Sequence, residues 1–177
     1  MKKKIIIFSI LLALLVSICG FHIVRNNYEL GREMYLSAKQ MSFQCNSLAD
    51  SLDYLEMKFS DPNISDISFQ GFYNAIFSIT SRFGFKDNPL QENIYEEYTS
   101  QFYKLRDMAQ KDGAIERAFA DETKRNEIID FKNALRNLAE QLNIFISNYD
   151  QMSFLETCFT SWSNERDMLS EKVKLSQ

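Results

Sequence analysis

The residue types on which enzymes and metal sites most depend are scarce in this 177-residue chain: one histidine, three cysteines and five glycines. The histidine, His22, stands inside an apolar run. Neither a Ser-His-Asp nor a Cys-His arrangement can be assembled around it, nor the Glu-x-x-His pairs of di-iron helical proteins. Ordinary zinc sites require histidines or several closely spaced cysteines, and the sequence has neither. Five glycines also leave little room for a phosphate-cradling loop or a nucleophile elbow. The expectation is a protein that is not an enzyme and needs no metal or cofactor.

Carboxylates are plentiful, and two of them in register could support hydrolysis. Glu92, Glu96, Glu97 and Asp107 fall on one helical stretch, and Glu156, Glu165, Asp167 and Glu171 on another. Acids scattered between apolar seam positions are the ordinary solvated face of an amphipathic helix, which is the reading adopted here. Beyond the first 25 residues the cysteines are Cys45 and Cys158. In an oxidising compartment the two are candidates for a disulfide closing a long loop; otherwise they are small buried side chains. Phe154, Phe159 and Trp162 form a candidate partner-binding patch, although their helical spacing suits core packing better. Asn63-Ile64-Ser65 matches a glycosylation acceptor, meaningful only on a eukaryotic secretory route.

The elements that carry these residues read as helical throughout. Met34, Ala38, Met41, Cys45, Leu48, Leu52, Leu55 and Phe59 step by four and three, the seam along which helices pack in bundles and coiled coils. Ser60-Asp61-Pro62-Asn63 predicts its end. A helix over 69–83 follows, with Asp66 as N-cap and Gly84 as C-terminal stop. Asn88-Pro89-Leu90-Gln91 starts another, with Tyr98, Phe102 and Leu105 inward, ending near Asp112-Gly113. Ile115 and Phe119 open a further face whose phase breaks before Ile128; a kink at 121–123 and a short helix preceding a long one both account for the break. From Ile128 the seam is regular through Phe131, Leu135, Leu138, Leu142, Phe145 and Tyr149. Ser153-x-x-Glu156 is a capping box, which predicts a last helix bearing Leu155, Phe159, Trp162, Leu169 and Val173 inward. One unbroken helix from 128 onward is the alternative.

Lys2, Lys3 and Lys4 precede twenty residues, Ile5 to Val24, without a formal charge. As a helix that run spans about 30 Å, the thickness of a bilayer's hydrocarbon core. It reads as a membrane anchor, with a cleaved signal peptide ending near Gly20 and a lipoprotein signal at Cys19 as alternatives. The lysines favour a cytoplasmic N-terminus and an extracytoplasmic domain. Residues 1–25 are therefore expected to be the anchor and 26–177 the folded domain. The seam runs on from the anchor, with Gly31 and Asn26-Asn27 as soft points between them. Four of the twenty basic residues lie at or before Arg25 and all twenty-four acids lie after it, which leaves the domain at −8. Such a charge disfavours nucleic acid.

The fold expected is all-α, an N-terminal transmembrane helix leading into an antiparallel bundle of four to five helices, with 28–59 against 124–150 as the long pair. In outline this is similar to LemA-type membrane proteins, though their basic run and Asp-Leu-Ile-Pro-Asn sequence are missing; Asp61-Pro62-Asn63-Ile64 is the nearest stretch. It also resembles the four-helix sensory domains of bacterial chemoreceptors, which return through the membrane. The function expected is protein–protein interaction at the cell envelope, as adaptor, assembly factor or scaffold, through a protein partner or self-association. The alternatives are an extracytoplasmic small-ligand sensor, with its ligand between the helices over 69–83 and 153–173, and a secreted helical protein.

Overall fold

The first helix persists because nothing in Lys2–Ser60 interrupts it. The stretch contains no proline, and its two glycines sit where the neighbouring backbone ladder holds them. The computed structural model describes residues 2–60, 90–111 and 114–173, and these form six helices. They are α1 (Lys2–Ser60), α2 (Gln91–Gln110), α3 (Ala114–Ala120), α4 (Glu122–Gln151), α5 (Phe154–Phe159) and α6 (Trp162–Lys172). The helix expected over 69–83 with its ends at Asp66 and Gly84, the stop at Asp61-Pro62-Asn63, the Asn88-Pro89 start, the Asn63-Ile64-Ser65 acceptor and the Asp112-Gly113 stop lie outside the described residues.

At 1.5 Å per residue, α1 is about 88 Å long, and its two halves live in different surroundings. In the first half Ile7, Ile10, Leu11, Leu14, Leu15, Ile18, Phe21 and Ile23 are exposed around the helix, with no other described helix buried against them. This stretch is long and apolar enough to cross a membrane. In the second half the stripe Met34, Ala38, Met41, Cys45, Leu48, Leu52 and Leu55 is buried. The helix runs through the join without a break, so neither Gly31 nor Asn26-Asn27 is a soft point.

The long partner of α1 is α4. Its N-cap is Asp121, whose carboxylate accepts from the Thr123 and Lys124 amides at 3.1 and 3.2 Å. That cap separates α3 from α4, so the short-helix alternative is the one realised. Ile128, Phe131, Leu135, Leu138, Leu142 and Phe145 bury the face of α4 turned to the core. Contacts between the two helices fall along α4 as they rise along α1. Tyr35 stacks on Tyr149 with ring centroids 4.4 Å apart, and its hydroxyl donates to Asp150 at 2.6 Å. Ser42 donates to Asn143 Oδ1 at 2.7 Å. Farther up, Lys132 meets Asp53 and Glu56, each at 2.6 Å, while Arg136 pairs with Asp50 at 2.9 Å and with Asp53.

On this pair Tyr98, Phe102 and Leu105 of α2 pack inward, with Phe102 edge-on to Phe131 at 5.4 Å. The chain turns at Ser153, where the capping box forms in full: the Ser153 hydroxyl accepts from the Glu156 amide and the Glu156 carboxylate from the Ser153 amide. The unbroken-helix alternative is thereby excluded. A second break, unforeseen in the sequence, follows at Thr160, whose extended backbone (φ −67°, ψ 139°) separates α5 from α6. Its hydroxyl donates to the Glu156 carbonyl at 2.7 Å, so the side chain satisfies the helix end and no glycine is needed to stop it.

Candidate functional site

The second break re-aims the aromatic residues that the sequence places together. A single helix over 154–173 would have turned Leu155, Phe159, Trp162, Leu169 and Val173 to one side. With the break, Trp162, Leu169 and Val173 are buried, whereas Phe154, Leu155 and Phe159 are 63%, 65% and 74% exposed. Trp162 therefore belongs to the core and not to the surface patch.

Trp162 is held at the join of the two halves of α1. Its indole lies against Gly31, where a Cβ would fall 2.7 Å from Nε1 and closer still to two ring carbons. Phe145 packs edge-on at 6.3 Å and Tyr149 at 5.6 Å, and Nε1 donates to the Thr157 carbonyl at 3.0 Å. One turn lower, the Asn27 amide nitrogen donates to the carbonyls of Cys158 and Thr160 at 2.7 and 2.9 Å. These are carbonyls at the C-terminal end of α5, groups that a helix cannot satisfy internally. Tyr28 completes the contact, its ring 5.2 Å from that of Phe154. Gly31 and Asn27, read from sequence as flexible points, are the seat and the clasp of this corner. The signal for Gly31 was available: a glycine amid strong helix formers, facing the seam, marks a close approach as readily as a hinge.

The same geometry separates the two cysteines. Cys158 lies at the level of Asn27, and Cys45 is eighteen residues farther along α1, about 27 Å away. A disulfide tolerates at most about 7 Å between Cα atoms. The candidate bridge is therefore not formed, and both thiols are free, buried side chains, the other reading the sequence allowed. Burial pushes the Cys45 thiol up to about 12, which leaves it an inert core side chain.

Of the carboxylates on the last stretch, Glu156, Asp167 and Glu171 are exposed and Glu165 is half-buried, and Asp107 of α2 is exposed. The side chains of Glu92, Glu96 and Glu97 lie outside the described residues. Among the described residues no three His, Cys, Asp or Glu side chains come close enough to hold a metal ion.

Two further features were not read from the sequence. Leu36, Phe43 and Met57 are exposed on α1. Steps of seven and fourteen residues put them within about 60° of one another, on the side opposite Met34, Met41 and Cys45. The side of α1 opposite the seam thus carries three large exposed apolar side chains, with the charged Asp50 between Phe43 and Met57. Separately, a cavity of about 490 Å³ opens between α2, α3 and α4. Leu105, Met108, Ile128 and Phe131 line its floor, and Lys104, Lys111 and Lys124 stand around it. It does not lie against α5 or α6; the other side of the alternative ligand site, 69–83, lies outside the described residues.

Comparison with protein-family models, with curated proteins and with solved structures finds no match to this chain.

Proposed function

We propose that the protein is an antiparallel bundle of four to five helices, residues 26–177, tethered by residues 5–24 to the outer face of a bacterial-type membrane, with its N-terminus in the cytoplasm. It works without catalysis, as an adaptor, assembly factor or scaffold whose output is binding to another protein or to its own copies. The observation that carries this reading is the set of large apolar side chains left exposed on α1 opposite its packed seam. One face is consumed by packing against α4, and the other presents Leu36, Phe43 and Met57 to solvent on a rigid rod that continues into the apolar run. Large exposed apolar side chains in register along one helix face are the mark of a helix still lacking a neighbour.

The test is photocrosslinking in membranes, with a photoreactive residue at position 43 of the full chain and a control at the exposed position 140 on α4. The expected result is a discrete adduct from position 43 only, either with one other envelope protein or with a second copy. Equal, diffuse labelling from both positions would contradict the proposal.

A second reading, a small-ligand sensor needing a transmembrane partner, is favoured by the cavity between α2, α3 and α4. Its apolar residues and the excess of Lys104, Lys111, Arg117 and Lys124 over Asp107 and Glu127 suit an amphipathic anion. Thermal-shift titration with medium-chain fatty acids tests it: saturable stabilisation that is lost in Lys124→Glu supports it, and no shift removes it.

A further inference from the structure

Among the described elements, α5 is the lowest packed on α1, measured toward the apolar run. Tyr149, near the end of α4, stacks on Tyr35, Trp162 seats at Gly31, and α5 meets Tyr28 and Asn27. Asn27 and Tyr28 follow Val24 by three and four residues, hence by about 4.5 and 6 Å. The headgroup layer on each side of a bilayer's hydrocarbon core is about 5–7 Å deep. If the apolar run fills that core, α5 lies within this layer. Val24, the last residue of the run, is already half-buried, whereas its neighbours Ile23 and Arg25 are exposed.

At this height the chain exposes three large apolar side chains in six residues. Thr157 and Cys158 face the protein, Leu155 and Phe159 face away from it, and Phe154 lays one side of its ring on Tyr28 and leaves the rest exposed. Leu155 and Phe159 are four apart and share one helix face. Phe21, seven residues before Tyr28 and so on nearly the same side of α1, is also exposed.

We propose that α5 is an interfacial foot, with Phe154, Leu155 and Phe159 inserted at the headgroup–acyl boundary of the bilayer that holds residues 5–24. Aromatic and leucine side chains favour that boundary. The foot fixes the tilt of the α1 rod, and with it the direction in which Leu36, Phe43 and Met57 are presented. The domain's charge of −8 offers no attraction to anionic headgroups, so insertion depends on apolar burial and not on lipid charge. This inference rests on the tethered reading above, and its test separates the two.

The full chain and its Phe159→Trp variant are reconstituted into phosphatidylcholine vesicles whose acyl chains carry bromine, and floated on a density gradient. Trp162, the one native tryptophan, is an internal reference, since it is 1% exposed and seated against Gly31. The expected result is that the emission added at position 159 is quenched by brominated lipid and not by aqueous acrylamide. Adding anionic lipid should leave this unchanged, and Leu155→Trp should behave alike. Quenching by acrylamide alone in floating vesicles overturns the foot and leaves the tether standing. Protection from both quenchers means that protein, such as a second copy, covers α5, and also overturns it. Failure to float removes the tether and the foot together.

Discussion

At the residue scale, two positions run against ordinary expectation and so make sharp tests. Gly→Ala in a helix interior normally stabilises by up to about 1 kcal/mol. At Gly31 the sign reverses, because the added methyl meets the Trp162 ring. We expect Gly31→Ala to lower stability by about 1–3 kcal/mol, the usual cost of overpacking, and to cost less in a Trp162→Phe background. Denaturant titration of the four variants in detergent checks the coupling. The second position is Gln44, buried on α1 with its amide nitrogen unsatisfied. A buried donor without a partner costs roughly 1–3 kcal/mol, so Gln44→Met should raise stability by about 1 kcal/mol or more in the same titration. The sequence offered a signal that Gly31 faces the seam, but neither its partner nor the unsatisfied amide of Gln44 was legible. A glycine's close neighbour and an amide's missing partner are both set by what packs there from distant parts of the chain.

At the element scale, the α1–α4 pair is tied by a charge cluster as well as by its seam. Burial by itself pushes the Asp53 carboxyl up, but the hydrogen bonds from Lys132 and Arg136 outweigh it and hold the group below its usual value. The unfolded chain therefore takes up this proton first as pH falls. The stabilisation is complete above about pH 3.9, the unfolded value, and is lost as pH drops through the lower folded one. Asp53 is partly exposed, so its pairing is worth about 1 kcal/mol after screening. Asp53→Asn should accordingly flatten the fall in the urea midpoint between pH 5 and pH 2.5. Lys132 is the more buried partner, its side chain 12% exposed. Lys132→Met should cost about 1–2 kcal/mol at pH 7 by leaving Asp53 and Glu56 side by side. The seams of this pair were readable because period and length both spoke for helix: Met34 to Leu55 and Ile128 to Phe145 are buried as their spacing requires. The Ser153 capping box was readable from local chemistry, and the break near 121–123 from the lost apolar phase between Phe119 and Ile128. The Thr160 break was not, because a threonine bonded to the preceding turn leaves no signature in composition, and that one omission misdirected Leu155 and Phe159.

At the scale of the whole molecule, the central claim is that α1 is one rod, apolar and bare over its first part and packed over its second, so that the domain is held at a fixed height on a membrane. The sequence made the apolar run and the seam visible separately. Their rigid continuity became apparent only when Gly31 and Asn27 proved to be contact points for the last third of the chain. The most direct measurement is cell fractionation with mass spectrometry of the N-terminus, combined with protease treatment of intact cells expressing the full chain. The account predicts an N-terminus still carrying residues 5–24, in the membrane fraction, on a domain cleaved from outside. A mature N-terminus near Gly20 in the soluble fraction would contradict it.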